Sequence, residues 1–131
     1  MSQDWYQDVL EFNFKFRPDH VFPARPRMAR PEDTELCMAL VMEEIGELFE
    51  GIADKNLVSI ADGAVDSIVV ILGLLTFFGI DPRPIWDEIH RTNMAKEGGD
   101  TRRDGKILKP KGWQPPKVKE LLIKQGMGGV K

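Results

Sequence analysis

Four acidic residues are spaced so that helices would set them side by side. Glu44 and Glu47 lie three apart in Met42-Glu43-Glu44-Ile45-Gly46-Glu47-Leu48, and Asp62 and Asp66 lie four apart in Ala61-Asp62-Gly63-Ala64-Val65-Asp66. Residues three or four apart share one helix face. Between Asp66 and Ile80 there is no charged residue. A helix that apolar is expected to be buried, and its aspartates then need partners, a cation or a proton. Two carboxylates from each of two antiparallel helices can surround one or two hard cations. Mg²⁺, or Mn²⁺ in its place, prefers oxygen ligands and keeps positions for water and phosphate. Such an ion can hold a di- or triphosphate and prepare water for in-line attack on phosphorus.

Basic and amide groups suited to phosphate occur further along. Asn93 and Lys96 are one helical turn apart, and Arg91, Lys106 and Lys109 flank them. An amide donates hydrogen bonds and an ammonium supplies a point charge to phosphate oxygens. Each set also has a plainer reading. Glu44 and Glu47 alone fit an acidic helix surface, Asp62 fits the first turn of a helix, and Asn93 and Lys96 fit solvated positions. A di-iron centre needs Glu-x-x-His twice, whereas the nearest pattern, Asp87-Glu88-Ile89-His90, occurs once. Neither a Walker-type phosphate loop nor a Gly-x-Ser-x-Gly elbow is present.

The elements that must position these groups read as helices. Trp5, Val9, Phe12 and Phe16 give helical spacing over 2–16, with Ser2 or Asp4 as cap. Residues 17–31 contain Pro18, Pro23, Pro26 and Pro31 with no period, which predicts a loop. Its Arg17, Arg25, Arg27 and Arg30 divide between a solvated role and one in which one or two reach a phosphate. A second helix is predicted from Glu32 to Ala53, with Val41, Ile45, Leu48, Phe49 and Ile52 facing the core. Glu43 and Glu50 then face water, and Glu44 and Glu47 fall at the boundary beside Leu40. The turn Asp54-Lys55-Asn56 predicts an antiparallel return through 57–78, ended by Gly79. On that helix Asp62 and Asp66 share a face with Val69, Gly73 and Thr76. Asp81-Pro82 starts a fourth helix. Residues 98–116 read as an irregular basic loop with a tight turn at Asp104-Gly105, 118–125 as a short last helix, and 126–131 as frayed.

Composition bounds the rest. With 131 residues, 42% hydrophobic and 30% charged, the chain predicts one soluble domain. A formal net charge of -3 gives no global case for nucleic acid or an acidic membrane. The single cysteine, Cys37, rules out an internal disulfide and reads as a packing residue. The run 67–80 is short for a bilayer span, and acids near the start argue against a secretory signal. A cytoplasmic location is expected. Trp5, Phe12, Phe77, Phe78, Trp86 and Trp113 exceed what so thin a core can hold, which predicts a second copy against them. Trp113 is read as packing in preference to stacking on a base.

Glu43-Glu44-Ile45-Gly46-Glu47-Leu48, the Asp62–Asp66 segment entering an apolar helix, and Phe78-Gly79-Ile80-Asp81 resemble MazG-like nucleoside triphosphate pyrophosphohydrolases. His90-Arg91-Thr92-Asn93-Met94-Ala95-Lys96, Asp104-Gly105-Lys106-Ile107-Leu108-Lys109 and Gly112-Trp113-Gln114-Pro115-Pro116 are similar to the subgroup related to phosphoribosyl-ATP pyrophosphohydrolase. The resemblance runs from about residue 33 to 116. It implies an all-α fold, an antiparallel bundle of four main helices completed by dimerisation or as a dimer of dimers. It also implies magnesium dependence and cleavage between the α and β phosphates of a (deoxy)nucleoside triphosphate. Of the family pattern Glu-x-x-Glu then Glu-x-x-Asp, Glu44, Glu47 and Asp66 match. The remaining glutamate falls on Gly63, with Asp62 one residue earlier as its substitute.

The expected machinery is therefore Glu44, Glu47, Asp62 and Asp66 on Mg²⁺, one of them or Glu43 acting on the attacking water, and Asn93, Lys96, Arg91, Lys106 and Lys109 on the phosphates. Hydrolysis of phosphoribosyl-ATP or a nucleoside diphosphate, and a non-catalytic helical dimer that binds a cation, are the alternatives.

Overall fold

The computed structural model describes residues 3–128, and within them the chain is all-α. The order is α1 (Trp5–Phe16), α2 (Pro31–Ala53), α3 (Leu57–Phe77), α4 (Pro82–Met94) and α5 (Val118–Lys124). Local chemistry sets the ends. The Asp4 side chain accepts the Gln7 N–H and caps α1, while Ser2, the other cap candidate, lies outside the described residues. Pro31, expected in the loop, is instead the first residue of α2, where its missing N–H costs nothing. Asn56 accepts from Val58 and Ser59 and starts α3, and Asp81 accepts from Arg83 and starts α4. Gly79 closes α3 with a φ of 66°. A side chain there would also run into the Arg25 carbonyl.

The central unit is the α2–α3 hairpin. Its contacts run antiparallel, Gly51 meeting Ser59 and Ile60, and Gly63 meeting Leu48. Both glycines are buried. A Cβ on Gly63 would stand 2.9 Å from Leu48 Cα and 3.0 Å from Leu48 N, so the bare backbone is what lets the helices approach. The buried positions of α3 are Gly63, Ser67, Thr76 and Phe77, and the Ser67 and Thr76 hydroxyls donate back to the Gly63 and Leu72 carbonyls. The expectation of a buried apolar α3 thus needs correction. One side of the helix is covered, through Gly63, Ser67, Thr76 and Phe77, whereas Val65, Ile68, Val69 and Ile71 are exposed. By length and hydropathy alone α3 is apolar enough to cross a membrane, where the run 67–80 was expected to be too short. On α2, Val41, Ile45 and Leu48 are partly covered, but Phe49 and Ile52, predicted as core, are exposed. Periodicity gave the direction of that face and not its depth.

α1 lies along α3, whereas α4 packs on α5 and makes little helix-to-helix contact with the hairpin. Polar links join these parts. The Arg83 guanidinium donates to Asp4 at 2.8 Å and to Asp81 at 2.9 Å, tying the N-caps of α1 and α4. The Gln125 amide pairs with both backbone groups of Asp81 at 2.8 Å. Gly126 and Met127, expected to fray, close α5 through N–H bonds to the Ile123 and Leu122 carbonyls. Residues 129–131 lie outside the described residues.

The proline-rich loop is anchored by an ion network. Asp33, in the first turn of α2, receives Arg30 Nε at 2.9 Å and lies 2.8 Å from His20 Nε2. Arg30, followed by His20, holds the Asp33 carboxyl below the usual carboxylate range. The Arg17 guanidinium stacks over Phe77 at 5.6 Å. Arg17 and Arg30 thus serve the fold.

Two outcomes test this account. Gly63→Ala lowers stability by about 1–3 kcal/mol through forced separation of two backbones. Gly46→Ala, with open space around it, raises stability by roughly 0.5–1 kcal/mol through helix propensity. Urea unfolding measures both. Asp33→Asn costs about 1 kcal/mol at neutral pH, reduced by the exposure of Arg30. Because the folded-state pKa is depressed, that stabilisation is present above the ordinary carboxylate range and is lost as pH falls through the lowered value. Unfolding midpoints of wild type and variant should therefore converge in acid.

Candidate active site

The hairpin brings three of the four predicted acids into one electrostatic neighbourhood. Glu44 is partly covered and its Oε2 is buried with no hydrogen-bond partner. Burial raises its pKa, and the nearby charges of Glu47, Asp66 and Glu43 raise it further. A carboxylate losing water beside three others of the same sign is poised to take either a proton or a cation. Glu47 and Glu43 are exposed and Asp66 is partly covered. Asp62 is exposed and is not among the charges that act on Glu44. Among the described residues no three His, Cys, Asp or Glu side chains are gathered into a ready cation cage. The donor chemistry is nevertheless all oxygen, and the orphaned Oε2 of Glu44 fits a hard cation.

Gly63 has a geometric explanation. The position where the family pattern puts a glutamate faces the α2 backbone at its nearest point. Asp62, the expected substitute, is exposed, which leaves Asp66 as the α3 carboxylate that acts on Glu44.

The predicted phosphate contacts occupy α4 and the loop after it. Asn93 is exposed at the end of α4 and Lys96 follows the helix, partly covered. The loop folds back as a small hairpin with a bridge between Thr101 and Ile107 and a turn at Gly105, whose φ is 97°. The Arg102–Asp104 pair braces that turn, and the Asp104 carboxylate also accepts the Lys106 N–H at 3.3 Å. Lys109 then lies 4.9 Å from the Trp113 ring centre and Lys96 5.6 Å from it. Trp113 is held in place by its Nε1–H, which donates to the Thr92 carbonyl at 2.7 Å. Trp113 is thus partly covered and tied to the end of α4. Lys106 is exposed. Arg91 is already engaged, donating to Glu88 at 2.8 and 3.1 Å. Arg91 and then the Lys117 N–H hold the Glu88 carboxyl down at about 2. The sequence reading missed this pair, although its three-residue spacing was visible. Cys37 is buried, and burial raises its thiol pKa, as a packing residue requires.

The model of the phosphoribosyl-ATP pyrophosphohydrolase family matches residues 8–93, from α1 to the end of α4. The chain belongs to that family. The match includes Glu43, Glu44, Glu47, Asp62, Asp66 and Asn93, and stops before Lys96 and the basic hairpin. Phosphoribosyl-ATP pyrophosphohydrolases fall within the MazG-like all-α superfamily, in agreement with the helices found here. A protein of Acanthamoeba polyphaga mimivirus, itself described as uncharacterized, is 35% identical over 78 residues, covering 58% of this chain. The chain spans 31% of the length of that relative.

Because burial, with like charges beside it, raises the Glu44 pKa, metal-free Glu44→Gln should be more stable than wild type at neutral pH. The raised pKa means that wild type regains this stability as pH falls through it, so the difference closes in acid. Millimolar Mg²⁺ should raise the thermal midpoint of wild type and leave that of Glu44→Gln unchanged. Thermal scans with Mg²⁺ and with chelator measure both effects.

Proposed function

We propose that this chain is a Mg²⁺-dependent nucleoside triphosphate pyrophosphohydrolase. It cleaves between the α and β phosphates to give a nucleoside monophosphate and pyrophosphate. The observation that carries the reading is the partnerless, buried Glu44 oxygen among Glu47, Asp66 and Glu43, in a chain of a family described by pyrophosphohydrolysis.

Glu44, Glu47 and Asp66 would hold Mg²⁺, or Mn²⁺ in its place, with exposed Asp62 as an outer contributor. When bound, the cation neutralises phosphate charge and acidifies water for attack. Glu43, or one of the other acids, orients that water and takes its proton. A new oxygen bond forms at the α phosphorus, the bond from it to the bridging oxygen breaks, and pyrophosphate leaves. Asn93 donates to phosphate oxygens, and Lys96 and Lys109 offset their charge. Lys106 adds to the same field, and Arg91 contributes while paired to Glu88. The acids and the lysines belong to separately packed helix pairs, so the triphosphate spans the two.

A second copy of the chain covers the exposed apolar face. Trp5, Phe12, Val65, Ile68, Val69 and Trp86 are exposed on α1, α3 and α4. Burying each large side chain contributes roughly 1.5–3 kcal/mol. Asp62 and Asp66 favour a protein partner over lipid for α3, because charge at the centre of a bilayer is expensive. The reading is of a cytoplasmic homodimer or homotetramer that binds no nucleic acid or membrane. A second substrate reading, phosphoribosyl-ATP, is favoured by the family description itself.

A pyrophosphate-release assay over nucleoside triphosphates and phosphoribosyl-ATP, with Mg²⁺ and with chelator, tests the proposal. Monophosphate and pyrophosphate are expected, and chelator should abolish both. Asp66→Asn should lower kcat by roughly 100-fold or more while the helical circular dichroism is unchanged. Normal turnover by Asp66→Asn would overturn the ligand assignment. Release of orthophosphate would place the attack at another phosphorus. No release from any substrate would leave a non-catalytic cation-binding dimer.

A further inference from the structure

We propose that Trp113 is a positioning residue that holds Lys96 and Lys109 together to receive the pyrophosphate end of the substrate. The proposal deepens the hydrolase reading and rests on it for the identity of the ligand.

The two lysines are thirteen residues apart and meet only because the chain between them doubles back. Gly99 has no room for a side chain against the Leu108 carbonyl, and the Leu108 N–H donates to the Asp100 carbonyl at 2.8 Å. That closure brings 109 back to the end of α4. Both ammonium groups then lie within 5.6 Å of the Trp113 ring centre, and the indole N–H is fixed to the carbonyl of Thr92, a residue that is 1% exposed. The ring face attracts each cation through its quadrupole.

What the ring does not do is neutralise them. Two nearby arginines have acidic partners, Arg91 pairing with Glu88 and Arg102 with Asp104, whereas Arg103, Lys106 and Lys111 have none among the described residues. Among the described residues neither Lys96 nor Lys109 has a carboxylate within ion-pair distance. Two like charges are thus gathered about one aromatic ring with both still free to attract an anion. Side-chain ordering is completed before the ligand arrives, which lowers the entropic cost of binding. A doubly charged, several-oxygen anion suits such a pair better than a neutral base or a single carboxylate.

The test uses inorganic pyrophosphate with chelator present. In the wild-type chain, the ε-methylene protons of Lys96 and Lys109 should carry upfield ring-current shifts in NMR spectra, and these should move on adding pyrophosphate. Unshifted methylenes, or no binding of pyrophosphate, overturn the proposal. Trp113→Leu should weaken pyrophosphate binding about tenfold. Trp113→Phe, which keeps a ring face but loses the bond to Thr92, should retain most of the affinity. Lys109→Met should cost less in the Trp113→Leu background than in wild type. Unchanged affinity in Trp113→Leu, or fully additive losses, would show that Trp113 does not act through the lysines. The two readings fail separately. Pyrophosphate binding that depends on Trp113, with no nucleotide hydrolysed, keeps the clamp and ends the hydrolase assignment. Hydrolysis with an unchanged KM in Trp113→Leu does the reverse.

Discussion

The close approach of α2 and α3 is the constraint from which the rest follows. It rests on two glycines, Gly51 and Gly63, each facing the opposite helix where a methyl group would collide. Drawing the backbones together sets Glu44 against the first half of α3, within reach of the Asp66 charge. The same closeness removes water from one Glu44 oxygen. A hairpin held apart by larger side chains would leave these carboxylates solvated and electrostatically ordinary. The packing residue and the chemical residues are thus two faces of one design. The small side chain belongs at the contact, and Asp66 stands one turn beyond it.

The same contact sits at Gly63, the one position where the chain departs from the acidic pattern implied by the resemblance. A ligand is a side chain with reach, and Gly63 occupies a place with no space for reach. Of the two aspartates on α3, Asp66 acts on Glu44 and Asp62 stands more in solvent. At the other end, cations are sorted by their partners. Arg83, Arg91 and Arg102 are tied to carboxylates, while Lys96 and Lys109 are tied to a ring. Arginine forks satisfy acids, and lysines on indole stay available.

Much of this was legible in the sequence. Periodicity and caps located all five helices to within a few residues, because Asp4, Asp81 and Gly79 act on their own neighbours. The spacing of Glu44, Glu47 and Asp66 pointed to one face. Depth was not legible. Phe49, Ile52 and the apolar flank of α3 have the composition of a core, yet one copy of the chain has too few layers to cover them. Nor were the long-range polar links. The alliance of His20, Arg30 and Asp33, and the bond from Trp113 to Thr92, depend on how loops return, which no local pattern encodes. The four-helix bundle implied by resemblance is seen here as a three-helix layer plus an α4–α5 pair.

The amide of Gln125 imitates a peptide group, giving and taking one hydrogen bond with the backbone of Asp81 across 44 residues. This has a consequence for the order in which the molecule is built. The α2–α3 hairpin is joined by a three-residue turn and can close while later segments are still being synthesised. The first turn of α4 gains its lock only when residue 125 has been made. Ribosome-bound chains would therefore be able to close the α2–α3 hairpin before the first turn of α4 is locked.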